Sequence, residues 1–184
     1  MRSRVLRVIQ QVLVATLLAI LVQGCVLIRI TEHRLKLNGD GSGEALLRLI
    51  DLRSDAPTDS LITRDFTQMM QAFDKYGTEE FEKGGRKIVN KQFIVRGDTL
   101  ILEVSYTFTQ LEAVEGLRST KGGLYMVVGE GRELVRTNGR AETWKQDAQR
   151  ITWDADARRL MYVIREKNLP PSTSLARWYI KFRH

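Results

Sequence analysis

The 184-residue sequence predicts an α+β domain: a mainly antiparallel, twisted β-sheet built from hairpins, with one main helix and one or two short helices packed on it. Leu100, Leu102, Val104, Tyr106 and Phe108 alternate with mostly polar neighbours, the period-two pattern of a strand with one buried face. Asn-Gly and Gly-Asp pairs recur between such runs and supply the turns that send a strand back antiparallel. From Leu61 to Tyr76 the period changes. Ile62, Phe66, Met69, Met70 and Phe73 fall at i, i+4, i+7, i+8 and i+11, one apolar face of a helix.

The first element lies outside that domain. Arg2, Arg4 and Arg7 open the chain with no acid before Glu32, and Val12 to Val22 is an apolar-dominated run of 11 residues. A spanning helix needs roughly 20 apolar residues, so the pattern is that of a secretory signal. Leu21-Val22-Gln23-Gly24-Cys25 resembles the lipobox of bacterial lipoproteins, with Gln23 where a small or hydroxyl residue is more usual. The resemblance implies cleavage between Gly24 and Cys25, removal of residues 1–24, and diacylglycerol on the Cys25 thiol, often with an acyl group on the new amine. Each buried CH₂ of such chains contributes ~0.8 kcal/mol, and two chains anchor stably where one is marginal. Val26, in place of the Asp that marks inner-membrane retention in Gram-negative lipoproteins, leans toward the outer membrane. The domain, 25–184, is expected outside the cytoplasm, lipid-anchored to the bacterial cell membrane or outer membrane. Val26-Leu27-Ile28-Arg29-Ile30 starts a strand at once, without the usual Ser/Gly/Asn tether, and so places the domain close to the bilayer.

Leu27 to Leu37 and Glu44 to Leu52 form a first hairpin around Asn38-Gly39-Asp40-Gly41-Ser42-Gly43. That loop superficially resembles a calcium loop, but Leu49 stands where an EF-hand needs its bidentate Glu, and the flanks are strands. Pro57-Thr58-Asp59-Ser60 starts the main helix and Gly77 fits its stop. A short helix from Thr78 to Lys83 precedes a second hairpin, Arg86 to Val95 with Leu100 to Phe108, turning at Arg96-Gly97-Asp98-Thr99. Thr109-Gln110-Leu111-Glu112 matches a capping box and opens a short helix to about Leu117. Leu124 to Val128 is a strand, with Glu133 to Thr137 returning beside it. Asn138-Gly139 turns into Arg140 to Lys145, and a last hairpin pairs Arg150 to Asp154 with Arg159 to Glu166. Leu175 to Phe182 fits either a strand, since Trp178, Ile180 and Phe182 alternate, or a short helix.

Composition excludes several classes. Hydrophobic residues at 43% and charged residues at 28% rule out a mostly disordered chain. One Cys excludes a disulfide framework or a Cys-rich metal site, and two His argue against a histidine metal cluster. Without Arg2, Arg4 and Arg7 the net charge of +7 falls to +4. That excess suits solvated surface or anionic headgroups and is too diffuse to indicate nucleic acid.

Candidate chemistry is sparse. Asp154 and Asp156 read as turn acids, His184 is terminal, and His33 has no Gly-x-Ser-x-Gly elbow to serve. No catalytic residue, metal or cofactor is therefore expected. Aromatics are better placed: Trp144, Trp153, Tyr162, Trp178 and Tyr179 cluster in the last third. They build either sheet core or the wall of an apolar pocket. The candidate pocket comprises Phe66, Met69, Met70, Phe73, Trp144 and Trp153, in a cavity between the main helix and the sheet.

Cys25-Val26, the run Leu35-Lys36-Leu37-Asn38-Gly39-Asp40-Gly41-Ser42-Gly43, Phe108-Thr109-Gln110-Leu111-Glu112 and the late Ile151–Ile164 hairpin together resemble the LppM-type bacterial lipoprotein domain. The resemblance covers nearly the whole mature chain. It implies an α+β domain exposed at the cell envelope, with lipid or glycolipid binding, and transfers no binding residue. The expected function is thus a non-catalytic lipoprotein binding a lipid or apolar ligand, or a partner protein, at the envelope. The alternative is an assembly lipoprotein that pairs through an edge strand with an envelope complex.

Overall fold

A computed structural model describes residues 26–145 and 148–183. Gly24, Cys25, the apolar run 12–22 and His184 lie outside the described residues. The chain runs β1 (Val26–Leu37), β2 (Gly43–Ser54), α1 (Asp59–Phe73), α2 (Lys75–Glu82), β3 (Arg86–Arg96) and β4 (Thr99–Phe108). A 3₁₀ turn at Leu111–Ala113 leads to β5 (Arg118–Thr120), β6 (Gly123–Val128), β7 (Arg132–Thr137) and β8 (Arg140–Lys145). Then follow β9 (Ala148–Trp153), β10 (Arg159–Glu166), β11 (Thr173–Ser174) and α3 (Ala176–Arg183). The fold is α+β and mainly antiparallel, and its strands form two sheets. The larger has the order β3-β4-β2-β1-β10-β7, with β11 pairing β2, and the smaller is β5-β6-β9-β8.

Two predicted hairpins do not form. β6 and β7 are neighbours in sequence, yet β6 pairs with β9 and β7 with β10. β9 and β10 part in the same way, β10 pairing with β1. Burial is the reason. Leu124, Met126 and Val128 of β6 and Ile151 and Trp153 of β9 make one apolar face. It stacks on Leu35, Tyr106, Phe108, Leu160, Tyr162 and Ile164 of the larger sheet, so each sheet covers the other. Asn138-Gly139 is the corner between them. A Cβ on Gly139 would stand 2.6 Å from the Thr152 carbonyl oxygen and 2.7 Å from Trp153 Nε1, so only glycine fits there.

The expected helix from Thr109 to Leu117 shrinks to its 3₁₀ turn. Leu111, Val114 and Leu117, all buried, are spaced by three, which suits three residues per turn better than 3.6. α1 starts as expected, with Thr58 Oγ1 accepting from the Leu61 N–H at 3.4 Å. It ends at Phe73, before Tyr76, and Gly77 is inside α2 instead of stopping α1. A Cβ at Gly77 would lie 1.6 Å from the Ala72 carbonyl oxygen, so this glycine permits the close junction of the two helices. Lys91 of β3 secures that junction: its Nζ donates to the Phe73 and Asp74 carbonyls and to Thr78 Oγ1. The Phe73 carbonyl is one of those at the end of α1 that the helix itself leaves without a partner, and the Asp74 carbonyl also accepts from Thr78. Of the two readings for the C-terminal segment, the helix is the observed one.

α1 and α3 cover the other half of the larger sheet with Ile62, Phe66, Leu175, Ala176 and Trp178, against Leu52, Phe93 and Leu100. Asp51, at φ 62°, shifts the alternation of β2. Leu47 faces the inter-sheet core, whereas Leu52 beyond the irregularity joins the helices. Arg29 and Arg53 hold the Asp51 carboxylate at 3.4 and 3.1 Å. On β4, Leu100 meets the helices while Val104, Tyr106 and Phe108 meet the small sheet, so both layers lie on the same face of the large sheet. Its opposite face carries an ion ladder, Glu32–Arg48–Glu103, with Arg48 at 3.8 Å from Glu32 and 2.6 Å from Glu103.

Candidate functional site

The six candidate pocket residues do not converge. Phe66 and Phe73 pack between α1 and the sheet, where Phe73 meets Phe93 with ring centroids 4.4 Å apart and Phe93 meets Tyr179 at 5.1 Å. Met69 and Met70 pack against the same cluster. Trp153 instead lies in the inter-sheet core, 5% exposed. Trp144 stands on β8, the edge of the small sheet, 44% exposed and stacked under the Arg150 guanidinium at 4.5 Å. The space expected to be a cavity between helix and sheet is filled by these aromatic contacts.

A groove of about 790 Å³ opens on the other flank of α1, between it and α3. Phe66, Met70 and Phe73 reach it from α1, and Trp178, Lys181 and Phe182 from α3. Trp178 Nε1 donates to Thr63 Oγ1 at 3.1 Å, Arg177 pairs with Asp59 at 2.8 Å, and the Phe66 and Phe182 rings meet edge-on at 5.8 Å. Phe182 remains 63% exposed and Ile180 44%. Trp178 belongs to the aromatic cluster that the sequence offers as core or pocket wall, whereas Phe182 carries no groove signal, because its alternation serves a strand as well as a helix.

A second concavity, about 870 Å³, lies on the uncovered face of the large sheet. Arg34, Lys36, Arg136 and Arg159 surround Leu46 and Met161 there. No local motif marks these residues. They come from β1, β7, β10 and β2, and only the strand order brings them together.

The titratable groups in the core are engaged structurally. His33, 5% exposed, sits between two phenols: Nδ1 is 2.7 Å from Tyr162 Oη and Nε2 is 2.8 Å from Tyr106 Oη. A neutral imidazole donates from one nitrogen and accepts at the other, so a single tautomer satisfies both contacts. Burial, and then the Arg86 guanidinium, push the His33 pKa down to about 4. Burial drives both tyrosine pKa values far upward. Neutral imidazole and neutral phenols form a core network here. Asp154 and Asp156 are exposed. In the first hairpin turn, Asp40 Oδ1 accepts from the Ser42 N–H at 3.0 Å and from Ser42 Oγ at 2.7 Å, which lowers its pKa. That carboxylate closes a turn. Among the described residues no three His, Cys, Asp or Glu side chains gather to hold a metal, and no helix is long and apolar enough to cross a membrane.

What fold and surface define is an α+β domain of two stacked antiparallel sheets with two open, amphipathic grooves. No protein-family model, no curated protein and no solved structure matches the chain.

Proposed function

We propose that the chain is a non-catalytic bacterial envelope lipoprotein, anchored through acylated Cys25, whose α1–α3 groove takes a lipid or other apolar ligand at the bilayer. One observation carries this reading. Val26, the residue after Cys25, pairs with Ser54 and packs against the cluster formed by α1 and α3. An anchor on Cys25 thus opens at the same end of the domain as the groove. Phe182 and Ile180 are exposed at that end beside Lys181 and Arg183, a pairing of apolar and cationic side chains suited to an anionic membrane interface. The lipobox and the LppM-type resemblance support the same reading. So does His33, whose ring nitrogens are both occupied by phenols. Edge-strand assembly draws less support, since the long edge strand β3 is irregular between Ile88 and Asn90 and exposes Lys87, two features that blunt strand addition.

Photo-crosslinking in the host membrane tests the proposal. A benzophenone amino acid replacing Phe182 should form lipid adducts, and one replacing Val127, exposed on β6 of the small sheet, should form none. Absence of lipid adducts at 182, in protein that still fractionates with membranes, would overturn the groove assignment. A Cys25→Ser variant processed like the wild type would overturn the anchor.

A further inference from the structure

We propose that the uncovered face of the large sheet is a second binding site, for the phosphate-bearing head and adjoining apolar part of an anionic phospholipid. The site goes beyond the α1–α3 groove and does not depend on the Cys25 anchor.

Cross-strand register carries the inference. Lys36 of β1 lies directly opposite Arg159 of β10. Like charges in facing positions of an antiparallel pair repel and destabilise it. One carboxylate stands near, Glu44 at 3.8 Å from Lys36, and it neutralises one cation of the two. Arg159 has no ion pair among the described residues, and neither does Arg136, which faces Val163 on the next strand pair. Arg34, the fourth cation, is already bound to Glu32 at 2.5 Å. The face therefore holds two uncompensated guanidiniums and one repulsive pair around a single concavity. Guanidinium forks match phosphate oxygens bidentately, and an anion seated between Arg136 and Arg159 would offset the repulsion.

The surroundings select an amphiphile. Met161 lies opposite Arg34 in the register, Leu46 follows on β2, and Val89, 68% exposed, borders the groove from β3. Arg136 and Arg159 occupy the β7–β10 side, Met161 and Leu46 lie beside Arg34 and Lys36 nearer the middle of the sheet, and Ser105 and Thr107 of β4 separate Leu46 from Val89. A headgroup on Arg136 and Arg159 places the upper part of an acyl chain on Met161 and Leu46. Its volume of about 870 Å³ suits a ligand of that size.

The test titrates full-length protein in a non-ionic detergent with dihexanoyl phosphatidic acid, dihexanoyl phosphatidylcholine and inorganic phosphate. Phosphatidic acid should bind at least ten-fold more tightly than either of the others. Arg136→Gln and Arg159→Gln should each weaken it at least five-fold. Arg159→Gln should also raise the melting temperature of the ligand-free protein, because it removes the cation facing Lys36. A merely structural arginine would lower it. Equal binding of phosphatidylcholine would eliminate the anion site, and equal binding of inorganic phosphate would eliminate the apolar subsite. Undiminished phosphatidic acid binding by both variants would overturn the location. None of these results alters the crosslinking expected at position 182, so the two proposals fail separately.

Discussion

Trp153 Nε1 donates a hydrogen bond to Asn138 Oδ1 at 2.9 Å, and through that contact the two sheets are joined at a corner. The same oxygen accepts from the Met161 N–H at 2.8 Å, while Asn138 Nδ2 donates to the Arg159 carbonyl at 2.9 Å. One side-chain amide thus ties β10 of the large sheet to β9 of the small one. Asn138→Ala leaves an indole N–H, a backbone N–H and a carbonyl without these partners. The expected loss is about 2–3 kcal/mol of stability, allowing for partial hydration of the exposed groups. Urea denaturation reads it directly, and a loss within about 0.5 kcal/mol, the range of ordinary surface substitutions, would refute the corner's role.

His33 sets an acid limit on stability. Its pKa falls from 6.5 to about 4 on folding, so the unfolded chain binds the proton more tightly than the native one. The stabilisation is whole above pH 6.5 and is lost as pH falls toward 4. At about 1.4 kcal/mol per pH unit, the loss across that window is roughly 3 kcal/mol. His33→Gln keeps a donor and an acceptor without a titrating group, and its stability should fall less steeply over the same range. Parallel denaturation profiles for the two proteins would count against this.

At the helix junction, Gly77→Ala places a methyl group where the Ala72 carbonyl already stands. Backbone atoms cannot rotate aside, so α1 and α2 must separate, at a cost of about 2 kcal/mol or more, as overpacking does elsewhere. Hydrogen exchange should accelerate in α2 and leave the small sheet unchanged. An unchanged α2 would mean that the junction has slack.

Ser54 Oγ donates to Asp65 Oδ2 at 2.6 Å and accepts from the Ala56 N–H at 3.1 Å, with both Ser54 and Asp65 fully buried. Ser54→Ala strips the carboxylate of that donor, since Asp65 Oδ1 has no hydrogen-bond partner and Arg64 approaches only to 3.8 Å. The expected cost is about 2–3 kcal/mol, the penalty for leaving a buried charged acceptor short of a donor. A melting temperature equal to that of the wild type would contradict it.

Strand alternation, turn pairs and the helical face of α1 were legible because each is a local pattern of one period and needs no knowledge of a partner. The first two hairpins follow directly, since the Asn38–Gly43 and Arg96–Thr99 turns fold β1 against β2 and β3 against β4. The hairpins that the local pattern predicts for β6 with β7 and β9 with β10 do not form, because a short loop can also carry the chain to another layer. That choice depends on which face finds apolar surface to cover it.

By itself, the sequence determined the α+β class, the strands other than the short β5 and β11, the main helix and the phenylalanines that bind it to the sheet, all through side-chain period and burial preference. The tertiary structure alone decided that there are two sheets, that Trp144 and Trp153 stand apart from Phe66, and that α3 completes a groove beside the first strand. It alone also set Arg159 opposite Lys36. The reason is physical: a residue's own period says which side of its element is buried, but its neighbours across the sheet are chosen by strand order, and strand order is settled only when every apolar face has found another.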